Sequence, residues 1–165
     1  PSATQFCMTW TLQGLWVSMC SMCALTAISS ETGVVMNALF YIGLGLFIYG
    51  FCTEIIADNQ KSKFRSIPEN RDKFITTGLW AKSRHPNFFG EVVLWAGIAV
   101  MSFSSLNGLQ YLTLISPVFT YLLLVYVSGV RMLEARADKK WGQDEEYVKY
   151  KSETPVLMIN YLGRP

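Results

Sequence analysis

The chain has 165 residues, of which 51% are hydrophobic and 16% are charged, and its formal net charge is +2. The charged fraction lies well below the ~25% that is usual in soluble domains. These figures argue against a disordered tail, a nucleic-acid-binding protein and a disulfide-stapled secreted module. They are typical of a membrane protein that consists of one domain.

Four apolar segments approach or reach the ~17–25 residues that a helix needs to cross a bilayer. They are predicted at residues 10–28, 34–56, 88–103 and 106–130. Because lipid offers no partners to backbone amides, we expect each segment to be helical, with Pro117 kinking the fourth. The sequence therefore predicts an all-α, multi-pass integral membrane bundle of four transmembrane helices, with residues 1–165 as a single domain.

The basic residues predict the topology. All 14 lysines and arginines fall in two blocks, seven in the loop at 57–87 and seven in the tail at 131–165. Four spans place both blocks on one side of the membrane, which the positive-inside rule makes the cytosolic side. We therefore expect membrane lipids around the spans, a cytosolic-type loop and an amphipathic cytosolic-type tail.

A metal site is not expected. His85 is the single histidine in the sequence, and the Cys20-x-x-Cys23 spacing lies inside an apolar span without a second ligand pair. We interpret these two cysteines as small packing residues between helices.

Polar residues cluster at the start of the third span. Pro86 is tolerated in a first helical turn, which leaves free backbone N–H groups and the positive end of the helix dipole beside Lys82 and Arg84. This arrangement predicts either an anion-binding site or an anchor to lipid headgroups. Glu91, farther into the span, is either a functional intramembrane carboxylate or an interfacial residue near the helix start.

A second polar group follows the second span. Asp58, Lys61 and Arg65 are spaced i, i+3 and i+7, so on a helix they share one face. A carboxylate beside two cations fits a site for ribose and phosphate, and it equally fits a solvated juxtamembrane helix.

A third polar group follows the fourth span. Arg131, Glu134 and Asp138 repeat the same spacing, and Tyr147 and Tyr150 follow among charged residues. The aromatic side chains either anchor the chain at the membrane interface or stack on a planar ligand.

Taken in order, these motifs resemble the steroid 5α-reductase superfamily, and the match covers most of the chain. The matching pieces are Leu12-Gln13-Gly14, Ala57-Asp58-Asn59-Gln60-Lys61 with Phe64-Arg65, Gly78-Leu79-Trp80, Arg84-His85-Pro86-Asn87-Phe88-Phe89-Gly90-Glu91, Arg131-Met132-Leu133-Glu134, and Glu146-Tyr147 with Tyr150-Lys151 and Thr154-Pro155. The resemblance implies a membrane-embedded, NADPH-dependent reductase of a double bond conjugated to a ketone, in a steroid or another hydrophobic lipid. It also implies the endoplasmic reticulum as location, with an organelle inner membrane as the alternative.

The resemblance also implies a set of cofactor-binding residues. Asp58 and Arg65 match an acid-and-arginine pair that holds the cofactor, and Asn87 and Glu91 match a contact to the nicotinamide half. The remaining matched positions are Arg84 and His85 of the motif, Arg131 near the phosphates, and Tyr150 in the tail.

The chain departs from this pattern in three places. One is near the end, where Met158-Ile159-Asn160 stands at the family's Ile-Pro. The family's proton-donating glutamate and tyrosine lie upstream of the Leu-Gln-Gly element, which begins here at Leu12, and Phe88 stands where the family has a tyrosine. The chain therefore resembles a cofactor-binding half, and no catalytic residue is assigned. A catalytically silent accessory subunit of a larger membrane complex is the alternative function.

A second family shares part of the signature. Arg84-His85-Pro86-x-Phe88-x-Gly90 is similar to the Arg-His-Pro-x-Tyr-x-Gly motif of the integral-membrane isoprenylcysteine carboxyl methyltransferases. That resemblance implies S-adenosylmethionine as cofactor in place of NADPH. The Asp58–Arg65 element and Glu91 favour the reductase.

Overall fold

The computed structural model describes residues 3–161, and this part of the chain is helical, without a β-strand. The α-helices are α1 (Ala3–Ser29), α2 (Ala38–Ser66), α3 (Pro86–Ser102), α4 (Ser116–Leu122), α5 (Val130–Trp141) and α6 (Glu145–Glu153). Four helical stretches are long and apolar enough to cross a membrane: Ala3–Ser29, Ala38–Ser66, Pro86–Ser105 and Gly108–Trp141. The predicted all-α fold with four membrane-spanning helices is confirmed.

Helix α2 carries polar residues beyond its apolar part. It begins after Asn37, whose side-chain oxygen accepts a hydrogen bond from the backbone N–H of Phe40 (3.2 Å). It then continues without a break to Ser66. Asp58 and Arg65 therefore lie on the same helix as the apolar segment.

The fourth spanning stretch is not a uniform helix. It starts as a 3-10 helix at Gly108–Ile115, changes to α4 at Ser116 and ends in a π-helical turn at Leu123–Val127. Pro117 lies in the first turn of α4, a position where proline is tolerated. The turn at Leu123–Val127 is closed by a hydrogen bond from Ser128 N to Leu123 O (2.9 Å).

The described residues form two compact units, the first of which contains residues 3–47 and 95–121. Within it, Cys20 and Cys23 are fully buried and hydrogen-bond to the fourth stretch. The Cys23 thiol donates to Thr113 O (2.7 Å), and the Cys20 sulfur lies 3.2 Å from the Thr120 hydroxyl. Both cysteines therefore pack between helices, as the sequence predicts.

The second unit contains residues 48–94 and 122–161 and most of the charged side chains. In it, α2 and α3 approach at glycines: a carbon added at Gly50 would lie 2.5 Å from Leu94 N, and one added at Gly90 would lie 2.7 Å from Glu54 N. The two backbones therefore meet without intervening side chains.

Trp80 fixes the loop between α2 and α3 in this unit. Its indole N–H donates to Ala57 O (2.9 Å), and its own carbonyl accepts from the Tyr150 hydroxyl (2.7 Å). Next to it, Gly78 has a φ of +64°, and the side chain of Gln60 accepts from Leu79 N (2.9 Å). The loop is thus held against α2 on one side and α6 on the other.

Candidate functional site

The centre of the second unit is a charged cluster at the start of α3. Pro86 begins that helix, so Arg84 and His85 lie directly before its first turn. Glu134, on α5, accepts from both: Arg84 Nη1 lies 2.6 Å from Glu134 Oε2, and His85 Nε2 lies 2.8 Å from Glu134 Oε1. One carboxylate therefore sets the positions of two residues of the Arg-His-Pro motif, largely shielded from solvent.

Helix α6 extends this cluster through Lys151. Its ammonium lies 2.5 Å from Asp138 Oδ1 and 3.5 Å from Glu134 Oε2. The Tyr147 hydroxyl donates to the same Asp138 oxygen (3.1 Å). The cluster thus links α3, α5 and α6 by charge-assisted hydrogen bonds, which are about twice as strong as neutral ones.

We expect Tyr147→Phe to reduce the loss of folding stability that occurs at alkaline pH. Burial and the hydrogen bond to Asp138 raise the pKa of Tyr147 above its usual value. A raised phenol pKa contributes stability that is full below the unfolded pKa of about 10 and is lost as the pH rises beyond it.

The measurement is the unfolding free energy in detergent between pH 8 and pH 11, both values chosen to bracket the phenol pKa of about 10. The phenylalanine variant should lose less stability over this range than the parent. An unchanged slope for Tyr147→Phe would contradict the assignment.

A cavity of about 420 Å³ opens beside the cluster. Six cationic side chains line it, against a single carboxylate, Glu134, among the residues that the structure describes. The cations are Lys61, Arg65, Lys73, Arg84, Arg136 and Lys140. The lining of the cavity is therefore strongly cationic.

Aromatic rings form much of the remaining wall. The Phe74 ring lies 5.2 Å from the Tyr147 ring, 5.7 Å from the Tyr150 ring and 5.9 Å from the Trp141 ring, centroid to centroid. The Trp80 ring also lines the cavity, with Lys61 Nζ 4.7 Å from its centroid. Such rings offer flat surfaces on which a planar ligand group can stack.

Four of the eight residues assigned from sequence meet in this cavity. They are Arg65, Arg84, His85 and Tyr150. The Tyr150 ring lies in the wall while its hydroxyl is bonded to Trp80 O.

The other four, Asp58, Asn87, Glu91 and Arg131, are outside the lining. Asp58 and Arg131 are exposed on α2 and α5, and Asn87 and Glu91 lie in the first two turns of α3. Asn87 Oδ1 is buried and accepts no hydrogen bond within residues 3–161. A buried acceptor of this kind is rare in native proteins and can mark a position where a ligand donates.

Sequence reasoning did not assign Glu134, Phe74, Trp141 and Tyr147 to the site. For Glu134 a signal existed, since it shares the i, i+3, i+7 pattern with Arg131 and Asp138. For Tyr147 the sequence left interface anchoring and ligand stacking open, and the structure places its ring in the cavity lining.

Comparison with known proteins adds three findings. No solved structure matches the chain. A 92-residue stretch is 32% identical to the probable O-methyltransferase ustE of Ustilaginoidea virens, and the match covers 54% of this chain and 32% of that protein. The chain thus spans about a third of the length of the curated relative it matches.

The third finding is a family. Residues 1–154 match the family described as "Protein of unknown function (DUF1295)". This family is related to the steroid 5α-reductase-like membrane proteins. Since the match covers nearly the whole sequence, the chain belongs to the DUF1295 family of membrane proteins.

Proposed function

We propose that the chain forms the cofactor-binding part of a membrane-embedded, NADPH-dependent reductase. Its substrate class is a steroid or another lipid with a double bond conjugated to a ketone. The observation that carries the proposal is the cavity, whose six cations face one described carboxylate among aromatic rings. NADPH combines phosphate groups with two planar ring systems, and the cavity offers a complement to each.

The lining residues divide by the part of the cofactor that they would hold. Arginine and lysine bind phosphate oxygens, arginine in a bidentate manner, so Arg65 and Arg136 are candidates for the phosphates. The rings of Phe74 and Trp141 would take a planar group. When bound, NADPH would supply a hydride for the double bond.

The residues around Glu134 would act as positioning groups. Glu134 holds Arg84 and His85 at fixed distances, so neither side chain has to be ordered when a ligand enters. Asn87 is a proposed contact as well, because a ligand donor would satisfy its buried side-chain oxygen. Glu91, Asp58 and Arg131 stay proposed on the resemblance alone.

The membrane orientation is part of the proposal. The cavity lies in the unit that carries the basic residues, and the positive-inside rule assigns such segments to the cytosolic side. NADPH would then enter from the cytosol while the lipid substrate arrives through the bilayer. The endoplasmic reticulum is the proposed location.

A second candidate is an S-adenosylmethionine-dependent methyltransferase. The 32% identity to the probable O-methyltransferase favours it, and so does the Arg-His-Pro motif. S-adenosylmethionine has no phosphate group and carries a positive sulfonium centre. Six cations in the cavity wall therefore favour NADPH over it.

Ligand-dependent stability tests the proposal. The chain in lipid nanodiscs would be unfolded by heat with NADPH, NADH, S-adenosylmethionine or no ligand. We expect NADPH to stabilise it by about 2.7 kcal/mol at a concentration 100 times its Kd. Stabilisation by S-adenosylmethionine alone would support the methyltransferase, and no stabilisation by any ligand would support an accessory subunit.

A substitution at Arg65 tests whether this residue binds a phosphate group of NADPH. If this cavity residue binds the additional 2′-phosphate, Arg65→Ala should lower the NADPH affinity at least about tenfold, since a hydrogen bond to a charged group contributes ~1.5–3 kcal/mol. NADH affinity should change little. Titration calorimetry of both nucleotides measures the difference.

Lys63→Ala is the matched control for this prediction. Lys63 is an exposed cation on the same helix and lies outside the cavity lining. It should leave both affinities near those of the parent. Equal losses of NADPH and NADH affinity in Arg65→Ala would assign Arg65 a structural role.

A further inference from the structure

The chain after α6 differs in character from the helix itself. Five of the nine residues of α6 are charged, whereas residues 154–161 carry no charge. Residues 155–161, which we call the strap, form no helix or strand and bend at positions 156–158. An uncharged, largely apolar segment directly after a charged helix is typical of chain that leaves the aqueous phase.

The strap is bonded to the segment that precedes α3. Three hydrogen bonds join the two: two are between backbone groups, and in the third the Ser83 hydroxyl donates to a backbone carbonyl. They run from Arg84 N to Pro155 O (2.9 Å), from Ser83 Oγ to Leu157 O (2.9 Å) and from Asn160 N to Lys82 O (3.0 Å). A contact that holds the strap in place therefore also holds the segment that contains Arg84 and His85.

The outer face of the strap is apolar. Met158 is 68% exposed and Val156 is 37% exposed. Ile159, which directly follows Met158, is buried. Exposed methionine and valine would be unfavourable in water and favourable against an apolar phase.

The end of the strap returns to a membrane-spanning helix. The Tyr161 hydroxyl lies 2.5 Å from the hydroxyl of Tyr49, which belongs to α2. Lys82 Nζ lies 5.3 Å from the centroid of the Tyr161 ring. Burial and the bond to Tyr49 raise the pKa of Tyr161 to about 12, so the phenol is neutral at physiological pH. Neutral tyrosine beside lysine is the usual composition of the membrane–water interface.

We infer that the strap is a membrane-interface anchor, in which Val156, Met158 and Tyr161 lie in the headgroup region of the bilayer. The lipid-facing surface of α2 continues into it through Tyr49. Contact with lipid thereby holds the Arg84–His85 segment in place. The inference concerns lipid contact and does not depend on which cofactor the cavity binds.

A fluorescent label measures the depth of the strap. The exposed Cys7 and Cys52 are replaced by alanine, and the buried Cys20 and Cys23 are kept. A single cysteine is then introduced by Met158→Cys, or by Ser152→Cys at an exposed position on α6 as the control. Each is labelled with an environment-sensitive dye in nanodiscs that contain nitroxide-labelled lipids.

We expect lipid nitroxides to quench the label at 158 severalfold more than the label at 152, and a water-soluble quencher to show the reverse order. Equal lipid quenching at both positions would overturn the anchor. Protection of position 158 from both quenchers would also overturn it, because a second protein chain would then cover the strap.

Hydrogen exchange measures the coupling to the site. Met158→Glu, which opposes insertion, should increase exchange of the Arg84 and Asn160 amides severalfold, since these amides form two of the three bonds. Met158→Leu should leave exchange unchanged. No increase in Met158→Glu would overturn the coupling. Neither measurement uses NADPH, so failure of the proposed function leaves this test intact.

Discussion

Replacement of Glu134 by glutamine is expected to destabilise the protein by about 3 kcal/mol, since removal of one partner from a buried ion pair costs ~3–5 kcal/mol. Glu134 serves Arg84, His85 and Lys151 at once, and its side chain is only 18% exposed. A glutamine side chain offers one oxygen and no charge, so it cannot balance the charges of Arg84 and Lys151. The free energy of unfolding from denaturant titration in detergent measures the loss.

A matched variant separates this effect from a general loss of negative charge. Glu145, at the start of α6, is exposed, and Glu145→Gln should change stability by less than about 1 kcal/mol, as is usual for exposed charges. If NADPH binds as proposed, Glu134→Gln should also weaken it through displaced Arg84. Stability within error of the parent would show that Glu134 does not organise the cluster.

Gly50→Ala is expected to cost about 2 kcal/mol, within the ~1–3 kcal/mol that overpacking typically costs. A carbon added at Gly50 would lie 2.5 Å from both Gly90 O and Leu94 N. These are backbone atoms, which cannot rotate away as a side chain can. The substitution therefore has to separate α2 from α3 at this point.

Gly45→Ala on the same helix is the control. A carbon added there meets no described atom within 4 Å. Alanine should therefore be neutral or stabilise α2 by up to about 1 kcal/mol through its helix propensity. Thermal unfolding of both variants in the same detergent gives the comparison. Equal behaviour of the two variants would contradict close contact at Gly50.

The fold follows from the sequence because lipid restricts it so strongly. Apolar segments of sufficient length have to be helical there, and the structure has four. The division of the fourth spanning stretch into 3-10, α and π segments was not predictable, since an apolar composition is compatible with all three kinds of helix. The sequence indicated an interruption at Pro117 but not the π-helical turn at Leu123–Val127.

The site was predictable where local chemistry specifies it. Pro86 marks a helix start, and that start positions Arg84 and His85. The partner of these two residues was not predictable, because Glu134 is 50 and 49 positions away along the chain. Asp58 shows the same limit: Lys61 and Arg65, which share its helix face, line the cavity and Asp58 does not, because a helical spacing does not say how far along the helix a cavity extends.

The Glu134 cluster has a consequence for biosynthesis. Its members come from the segment before α3, from α5 and from α6, so synthesis on the ribosome delivers them at well-separated times. Since chains fold from the amino end as they emerge, Arg84 is synthesised long before Glu134, which carries its counter-charge. The pocket is therefore completed late, after the helices have entered the membrane. Until then, the quality-control machinery of the cell would encounter a chain whose helices are inserted and whose basic residues are not yet paired.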